Sequence, residues 1–343
     1  MLRKRLAAVA LGGFCAALTT ACDSGQRPRE PQSSGNAAGV PAASAAKAEP
    51  VPQRVAAIGD VATLAPELRR AFDHAGFEPT PEPGPDDWLA RHPEKPQSFG
   101  DYMWAKRNVP TSRRRVIYLL PVGTFPATAP SIAQLGDLVH AFFRLEVKML
   151  PPVSVGDVTA QRRINVLTSK RQLLAPGVLG WLRQRLPEDG FGLIAVTMED
   201  LYPQPSWNFV FGMASLKDRV AVQSFARQDP AFLGEPRPAG WQKLARRRAT
   251  WTLLHEVSHM FGLTHCTFWR CVVAGSNHQA EADRSPLHAC PVCLRKLHAA
   301  IKFDPAARET ALAAAFDTLG LHDDAAWSAE RAMWIREGVR AAR

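Results

Sequence analysis

A chain of 343 residues can bury a good-sized core, as one large domain or two small ones, and its 46% hydrophobic and 22% charged content is that of a globular protein. The formal charge of +10 would suit a nucleic acid or an anionic membrane surface. The basic clusters at 113–115 and 243–248 are short, however, and stand beside no aromatic-interleaved RNA motif or recognition helix. We therefore expect no nucleic-acid partner.

The N-terminus has the features of an export signal. A cationic start at residues 1–5 precedes an apolar run at 6–18 that is too short to span a bilayer as a permanent helix. The small residues that follow, up to Cys22, resemble a bacterial lipobox, so Cys22 is expected to be lipidated and to become the new N-terminus. Ordinary signal cleavage near Ala21 is the alternative. Asp23 favours retention at the inner membrane, which predicts a lipoprotein facing the periplasm.

The next two segments contain few strong signals for regular structure. Residues 23–54 are rich in Ala, Pro, Ser and Gly and have almost no large apolar side chains, which predicts a flexible tether. Residues 55–112 are dense in proline, which predicts an extended arm wrapped on a domain, with one short helix near 64–72.

Apolar runs in the middle of the chain predict a mixed sheet. Residues 115–123 and 193–197 have the pattern of buried strands, and 131–145 has a helical period between them. Residues 208–214 and 219–224 predict a hairpin. We expect an α+β fold of α/β-like layout, with a mixed, mainly parallel sheet and one antiparallel edge strand.

Three other regions predict helices. Residues 171–186 suit two short helical pieces divided near Pro176, and the chain beyond 303 is rich in Ala, Arg and Glu. The longest helix is expected at 240–261 and carries the strongest motif of the sequence.

That motif is the pattern of a catalytic zinc site. His255 and His259 are four residues apart and so share one helical face, while Glu256 projects towards the side where water would bind. Gly262 permits the left-handed turn that brings His265 back as a third ligand. A zinc site with three protein ligands keeps one position open for water, which Glu256 can deprotonate.

Four cysteines follow directly, at a spacing of C-x4-C-x18-C-x2-C: Cys266, Cys271, Cys290 and Cys293. Two disulfides are one reading, because an exported domain enters an oxidising compartment. A redox pair at C-x2-C is another, although the preceding strand typical of thioredoxin-like motifs is missing. The paired spacing favours a closed tetrahedral zinc site in a small C-terminal subdomain.

The run from His255 to Cys293 resembles the archaemetzincins, a metzincin-clan family of zinc peptidases in which the extended zinc motif leads straight into a four-cysteine cluster. The resemblance covers about residues 86–303. Further stretches that resemble the family lie at 87–99, 200–203, 207–214, 224–227 and 293–297.

The resemblance implies a role for each motif residue. Zinc ligands are expected at His255, His259 and His265, a general base at Glu256, and a structural zinc at Cys266, Cys271, Cys290 and Cys293. It also implies a cleft rimmed by an antiparallel edge strand that pairs with an extended peptide, which we place at Val220, Ala221, Val222, Gln223 and Ser224. Val273 departs from the family, which has a methionine beneath the zinc at this position.

These features predict a zinc-dependent peptidase that hydrolyses peptide bonds with a zinc-activated water and Glu256 as general base. The alternative is a catalytically weak or inactive zinc-bound protein that captures a peptide; Val273 favours it and Glu256 argues against it. Two zinc ions, a peptide or protein substrate, membrane attachment through lipidated Cys22 and a monomeric state are expected. Internal cleavage and removal of N-terminal residues both remain open, as does inhibition by the arm.

The predicted organisation has five segments: a lipoprotein-type signal peptide (1–22), a flexible tether (23–54), a proline-rich arm (55–112), a metzincin-like catalytic domain (113–303) and a C-terminal helical extension (304–343).

Overall fold

The computed structural model describes residues 50–338. The predicted signal peptide, lipidated Cys22 and most of the tether lie outside this range. Within it, no helix is both long and apolar enough to cross a membrane.

The strands of residues 50–338 form two sheets, one of five strands and one of three. In chain order they are β1 (Val116–Val122), β2 (Glu146–Met149), β3 (Arg162–Ile164), β4 (Arg171–Leu174), β5 (Gly190–Thr197), β6 (Asp200–Tyr202), β7 (Gly212–Ala214) and β8 (Val220–Ser224).

Helices precede, alternate with and follow the strands. They are α1 (Val51–Ile58), α2 (Pro66–Ala71), α3 (Trp88–Arg91), α4 (Phe99–Trp104), α5 (Ile132–Phe143), α6 (Ala175–Arg183), α7 (Trp241–Met260), α8 (Gln279–Arg284), α9 (Pro291–Ile301), α10 (Pro305–Thr318) and α11 (His322–Glu337).

The five-stranded sheet has the order β2-β1-β5-β8-β7. Strand β1 pairs in parallel with β2 and β5, and β5 pairs in parallel with β8, whereas β7 runs antiparallel to β8. The prediction of a mixed, mainly parallel sheet is therefore confirmed. The predicted edge strand was wrong: Val220–Ser224 is an interior strand, and the antiparallel edge is Gly212–Ala214. Both strands of this hairpin are fully buried, so their apolar patterns do not reveal which one pairs with β5.

The three-stranded sheet was not predicted. Strand β4 pairs antiparallel with β3 and parallel with β6. The first residues of the predicted helical stretch 171–186 therefore form a strand, and the helix begins only at Ala175, with Pro176 in its first turn. Proline is tolerated there because the first-turn N–H groups have no intrahelical partner.

The five-stranded sheet separates two apolar clusters. One cluster contains α6 and buried residues of the small sheet, and the other contains α5, α7 and the C-terminal helices. Helix α7 is buried along its C-terminal half, including Leu253, Leu254 and Val257. The strongest motif of the sequence thus lies in the interior, packed against β7 and β8.

The segment 55–112 contains short helices, contrary to the expectation of a mostly irregular arm. Helix α1 begins at Val51, inside the stretch predicted as tether, and α2 matches the one helix expected here. Between the helices, Pro79 forms an antiparallel bridge with Trp269, next to the cysteine cluster. We call residues 55–112 the N-terminal arm.

The residues beyond 303 pack on the sheet domain. Arg308 of α10 is buried against α5, where its Nε donates to Phe142 O at 2.7 Å and its guanidinium lies 4.1 Å from the Phe142 ring centre. Glu309 pairs with the same arginine. Helices α10 and α11 thus belong to the packed structure.

Candidate active site

Helix α7 positions His255, Glu256 and His259, and all three side chains are fully buried. The two histidines are one turn apart and project from one helical face. Their Nε2 atoms lie 3.0 Å from each other. The helix therefore presents two imidazole nitrogens to a single point.

The turn after α7 brings a third imidazole to that point. Gly262 has φ +87°, in the left-handed region that favours glycine. The ring centre of His265 then lies 5.3 Å from that of His255 and 5.0 Å from that of His259. One ligand nitrogen from each of the three rings falls within 4.8 Å of the others.

The outer nitrogen of each ring has a fixed hydrogen-bond partner. The Nδ1 atoms pair as follows: His255 with Val272 O at 2.8 Å, His259 with Leu263 O at 2.6 Å, and His265 with Glu94 Oε1 at 2.8 Å. A carbonyl oxygen only accepts, so Nδ1 of His255 and of His259 carries the proton and Nε2 keeps its lone pair.

These histidines fit a bound metal ion. Burial lowers the pKa of His255 well below its ordinary value, and burial together with the charge of His265 lowers the pKa of His259 to about 3. Both rings are therefore neutral, and their Nε2 atoms lie 3.0 Å apart. A tetrahedral zinc with Zn–N bonds of about 2.0–2.1 Å would separate two nitrogens by about 3.3 Å, close to this spacing.

The N-terminal arm supplies two residues that the sequence did not single out. Glu94 bonds to His265, and burial raises the pKa of this carboxyl, but the charge and the hydrogen bond of His265 lower it further, so the net shift is downwards. Trp88 packs edge-on against His265 with ring centres 5.0 Å apart. Both residues lie in the stretch 87–99 that resembles the family. That resemblance was the sequence signal that could have pointed to them.

Glu256 lies against the edge strand β7. A β-carbon built on Gly212 would come within 2.5 Å of Glu256 Oε1 and 2.8 Å of its Cγ. Gly212 thus lets the strand pass directly over the carboxylate. A glycine inside a strand pattern is a known sign of close backbone approach, so the sequence contained this signal as well.

Cys266, Cys271, Cys290 and Cys293 converge into one buried cluster. All four are free thiols, and their Sγ atoms lie within 4.8 Å of one another. Hydrogen bonds from the neighbouring thiols lower the pKa of Cys266, whereas burial raises the pKa of Cys290. The cluster suits tetrahedral zinc, in which Zn–S bonds of about 2.3 Å place sulfur atoms about 3.8 Å apart. Sγ of Cys266 and Sγ of Cys290 are 3.4 Å apart.

The two clusters share one loop. Cys266 N–H donates to Val273 O at 3.0 Å, and Val272 O accepts the Nδ1 proton of His255. Val273 is completely buried, at the position where the family resemblance predicts methionine. The loop that follows Cys271 therefore connects one of the three clustered histidines to the cysteine cluster.

A third group of possible ligands, Asp87, His278 and Glu281, is a hydrogen-bond network. His278 Nδ1 accepts the Glu281 N–H at 3.2 Å, so Nε2 holds the proton and donates to Asp87 Oδ1 at 3.0 Å. Arg284 also donates to Asp87, and Glu281 accepts from the N–H of Trp88. These groups attach the N-terminal arm to α8, and their ligand atoms are already engaged.

The helix-borne histidines, the adjoining carboxylate and the overlying edge strand define a metallopeptidase class of site. Residues 147–299 match the model of Peptidase family M54. Over 275 residues the chain is 37% identical to Archaemetzincin-2 of Pongo abelii, covering 71% of this chain and 76% of that protein. Archaemetzincin-2 of Homo sapiens is 37% identical over the same length and with the same coverage of both chains.

Less similar matches are also named archaemetzincins. Archaemetzincin-1 of Mus musculus is 32% identical over 246 residues, covering 63% of this chain and 49% of that protein. The crystal structure of archaemetzincin from Methanopyrus kandleri has a TM-score of 0.43 and 28% identity, covering 57% of this chain and 99% of that one. The chain belongs to the archaemetzincin family of zinc metallopeptidases.

Proposed function

We propose that the chain hydrolyses peptide bonds in extended peptides, with zinc held by His255, His259 and His265. The observation that carries this proposal is the convergence of the His255 and His259 Nε2 atoms at 3.0 Å, while the Nδ1 atoms of both rings are bonded to Val272 O and Leu263 O. Zinc bound there would polarise the scissile carbonyl and acidify a water molecule.

Glu256 is proposed as the general base. Its carboxylate is buried beside the histidines, and the next element outward is the strand that a substrate would meet. An Oε atom would take a proton from the attacking water and return it to the leaving amine as the C–N bond breaks. One carboxylate can serve both steps, first as base and then as acid.

Strand β7 is proposed as the substrate-binding edge, in place of Val220–Ser224. Met213 pairs with Val222, and the N–H of Ser224 donates to Phe211 O, so these alternate residues direct their backbone groups towards β8. By strand alternation, the N–H and C=O groups of Gly212 and Ala214 point the other way. An extended peptide could add to this edge, beside the strand that covers Glu256.

The four cysteines are proposed to hold a second, structural zinc, giving two ions per chain. We also propose, from the N-terminal sequence alone, that Cys22 is lipidated and anchors the chain to a membrane facing the periplasm. Incorporation of labelled fatty acid that is lost in Cys22→Ala would support the anchor, and incorporation into both forms would rule it out.

The decisive experiment compares wild type with Glu256→Gln. We expect about 10²- to 10⁴-fold slower cleavage of a peptide library by the variant, because a general base contributes that much, with the zinc content unchanged. Loss of zinc in the variant would mean that Glu256 is structural. No cleavage by either protein, with zinc present, would favour the alternative of a zinc-bound peptide-binding protein.

A further inference from the structure

We propose that the N-terminal arm is a permanent component of the catalytic zinc site, with Glu94 as the positioning residue for His265. This inference rests on the proposed function, since it takes His255, His259 and His265 as the zinc ligands. It assigns residues 55–112 a supporting role, in contrast to a removable inhibitory segment.

The first observation is the hydrogen bond between Glu94 Oε1 and His265 Nδ1, at 2.8 Å. His255 and His259 are oriented by backbone carbonyls of their own region, but the Nδ1 of His265 meets a side chain 171 residues away. The His265 side chain is fully buried and Glu94 is 20% exposed, so little water competes for this bond. A carboxylate at this position fixes the ring and makes its other nitrogen a stronger ligand.

The second observation is that the arm caps the end of the active-site helix. The last carbonyls of a helix have no partner within it and must find one elsewhere. Three arm side chains provide it: Asn108 Nδ2 donates to Met260 O at 2.8 Å, Tyr102 OH to Phe261 O at 3.1 Å, and Gln97 Nε2 to Gly262 O at 3.3 Å. The turn that leads to His265 is therefore held from the arm.

The third observation is that Gln97 links the turn before His265 to the helix that carries Cys293. Its Oε1 accepts the N–H of Thr264, the neighbour of His265, at 3.3 Å, and accepts from Lys296 Nζ at 3.0 Å. Lys296 is buried on α9, one turn after Cys293. Gln97, three residues after Glu94, thus attaches this part of the arm to both segments.

The side from which Glu94 approaches His265 distinguishes a supporting arm from an inhibitory one. Glu94 contacts Nδ1 of His265, and the two nitrogens of an imidazole ring point outwards in widely different directions, so a carboxylate on Nδ1 leaves Nε2 available to the metal. Glu94 therefore does not approach the metal side of this ligand. Trp88 and Tyr102 of the arm are 4% and 0% exposed, so removal of the arm would uncover large apolar surfaces beside the site.

The test is zinc retention by the full chain, with Glu94→Ala and Glu94→Gln compared to wild type. Zinc per chain is measured by elemental analysis after dialysis against graded dipicolinate, and folding is checked by circular dichroism. We expect about 10- to 100-fold weaker retention of one of two zinc ions in Glu94→Ala, and a smaller loss in Glu94→Gln, which keeps an acceptor. Exposed Glu67 of the arm provides the matched control, Glu67→Gln, which should retain zinc as wild type does.

Retention equal to wild type in both Glu94 variants would overturn the inference. If Glu94→Ala does not fold, Glu94→Gln decides the question, because it preserves the size of the side chain. His265→Ala serves as the reference and should retain one zinc ion fewer. If His265→Ala keeps both ions, the ligand assignment itself is wrong, and the inference fails with it.

Discussion

Glu256 and Gly212 approach so closely that no side chain larger than hydrogen fits between them. A β-carbon on Gly212 would lie 2.5 Å from Oε1, 2.8 Å from Cγ and 2.9 Å from Cδ of Glu256. The proposed general base and the proposed substrate edge are thus in direct contact. Any residue larger than glycine at position 212 must therefore displace the carboxylate or the strand.

Gly212→Ala should therefore impair catalysis without loss of zinc. The added methyl group must displace the carboxylate or the strand, and a displacement of about 1 Å can lower the rate by about 100-fold. The measurement is kcat/KM on a cleaved peptide together with zinc content. Gly180→Ala is the matched control, because a β-carbon there meets nothing within 4 Å. Wild-type activity in Gly212→Ala would show that catalysis does not depend on the position of Glu256 beside Gly212.

The buried ion pair of Arg227 and Asp200 should contribute strongly to the free energy of unfolding. Arg227 Nε and Nη2 donate to the two carboxylate oxygens of Asp200 at 2.8 and 2.7 Å. The side chains of Arg227 and Asp200 are 7% and 0% exposed. Arg227→Met leaves Asp200 buried without this partner, a change that typically destabilises by about 3–5 kcal/mol. Chemical denaturation of wild type and variant would measure the loss.

An exposed pair of the same geometry is the control. Arg237 donates through Nε and Nη2 to Asp229 at 2.9 and 2.6 Å, but the arginine side chain is 45% exposed. Water replaces the lost partner there, so Arg237→Met should change the free energy of unfolding far less. Equal losses of unfolding free energy in Arg227→Met and Arg237→Met would show that burial does not strengthen the ion pair's contribution.

The sequence predicted the parts of the site that are local. His255, Glu256, His259 and His265 occupy one helix and one turn, so helical spacing and a single glycine suffice to bring them together. The long helix and the hairpin were also visible, because the helix is a long run without Gly or Pro and the hairpin is two short apolar runs separated by a turn. These are the features for which residue order alone determines geometry.

Long-range relationships were not visible in the sequence. Nothing beside Glu94 indicates that it meets His265, 171 residues later. The edge strand was misassigned because strand order depends on which hairpin strand pairs with β5, and Val220–Ser224 and Gly212–Ala214 are both buried throughout. Residues 171–174 form a strand because β3 and β6 flank them, which overrides their local helical pattern.

The cysteine cluster should stabilise the fold through its metal. We expect Cys293→Ser to bind one zinc ion, with wild type binding two, and to melt at least about 10 °C lower, since 1 kcal/mol shifts Tm by about 2–4 °C in a domain of this size. Elemental analysis and thermal denaturation would test both expectations. One zinc ion in wild type, with a mass lowered by two disulfides, would instead show that these cysteines pair covalently.

Val273→Met should destabilise the chain while leaving the zinc count unchanged. Val273 is 0% exposed, and its backbone is fixed by bonds from Cys266 N–H and to Cys271 Sγ, so a longer side chain must push its neighbours. Overpacking of this kind costs about 1–3 kcal/mol. His255 is oriented by the backbone carbonyl of Val272 and not by the side chain of residue 273, so kcat should change less than stability. A higher Tm together with faster cleavage would mean that valine leaves space beneath the site which methionine fills.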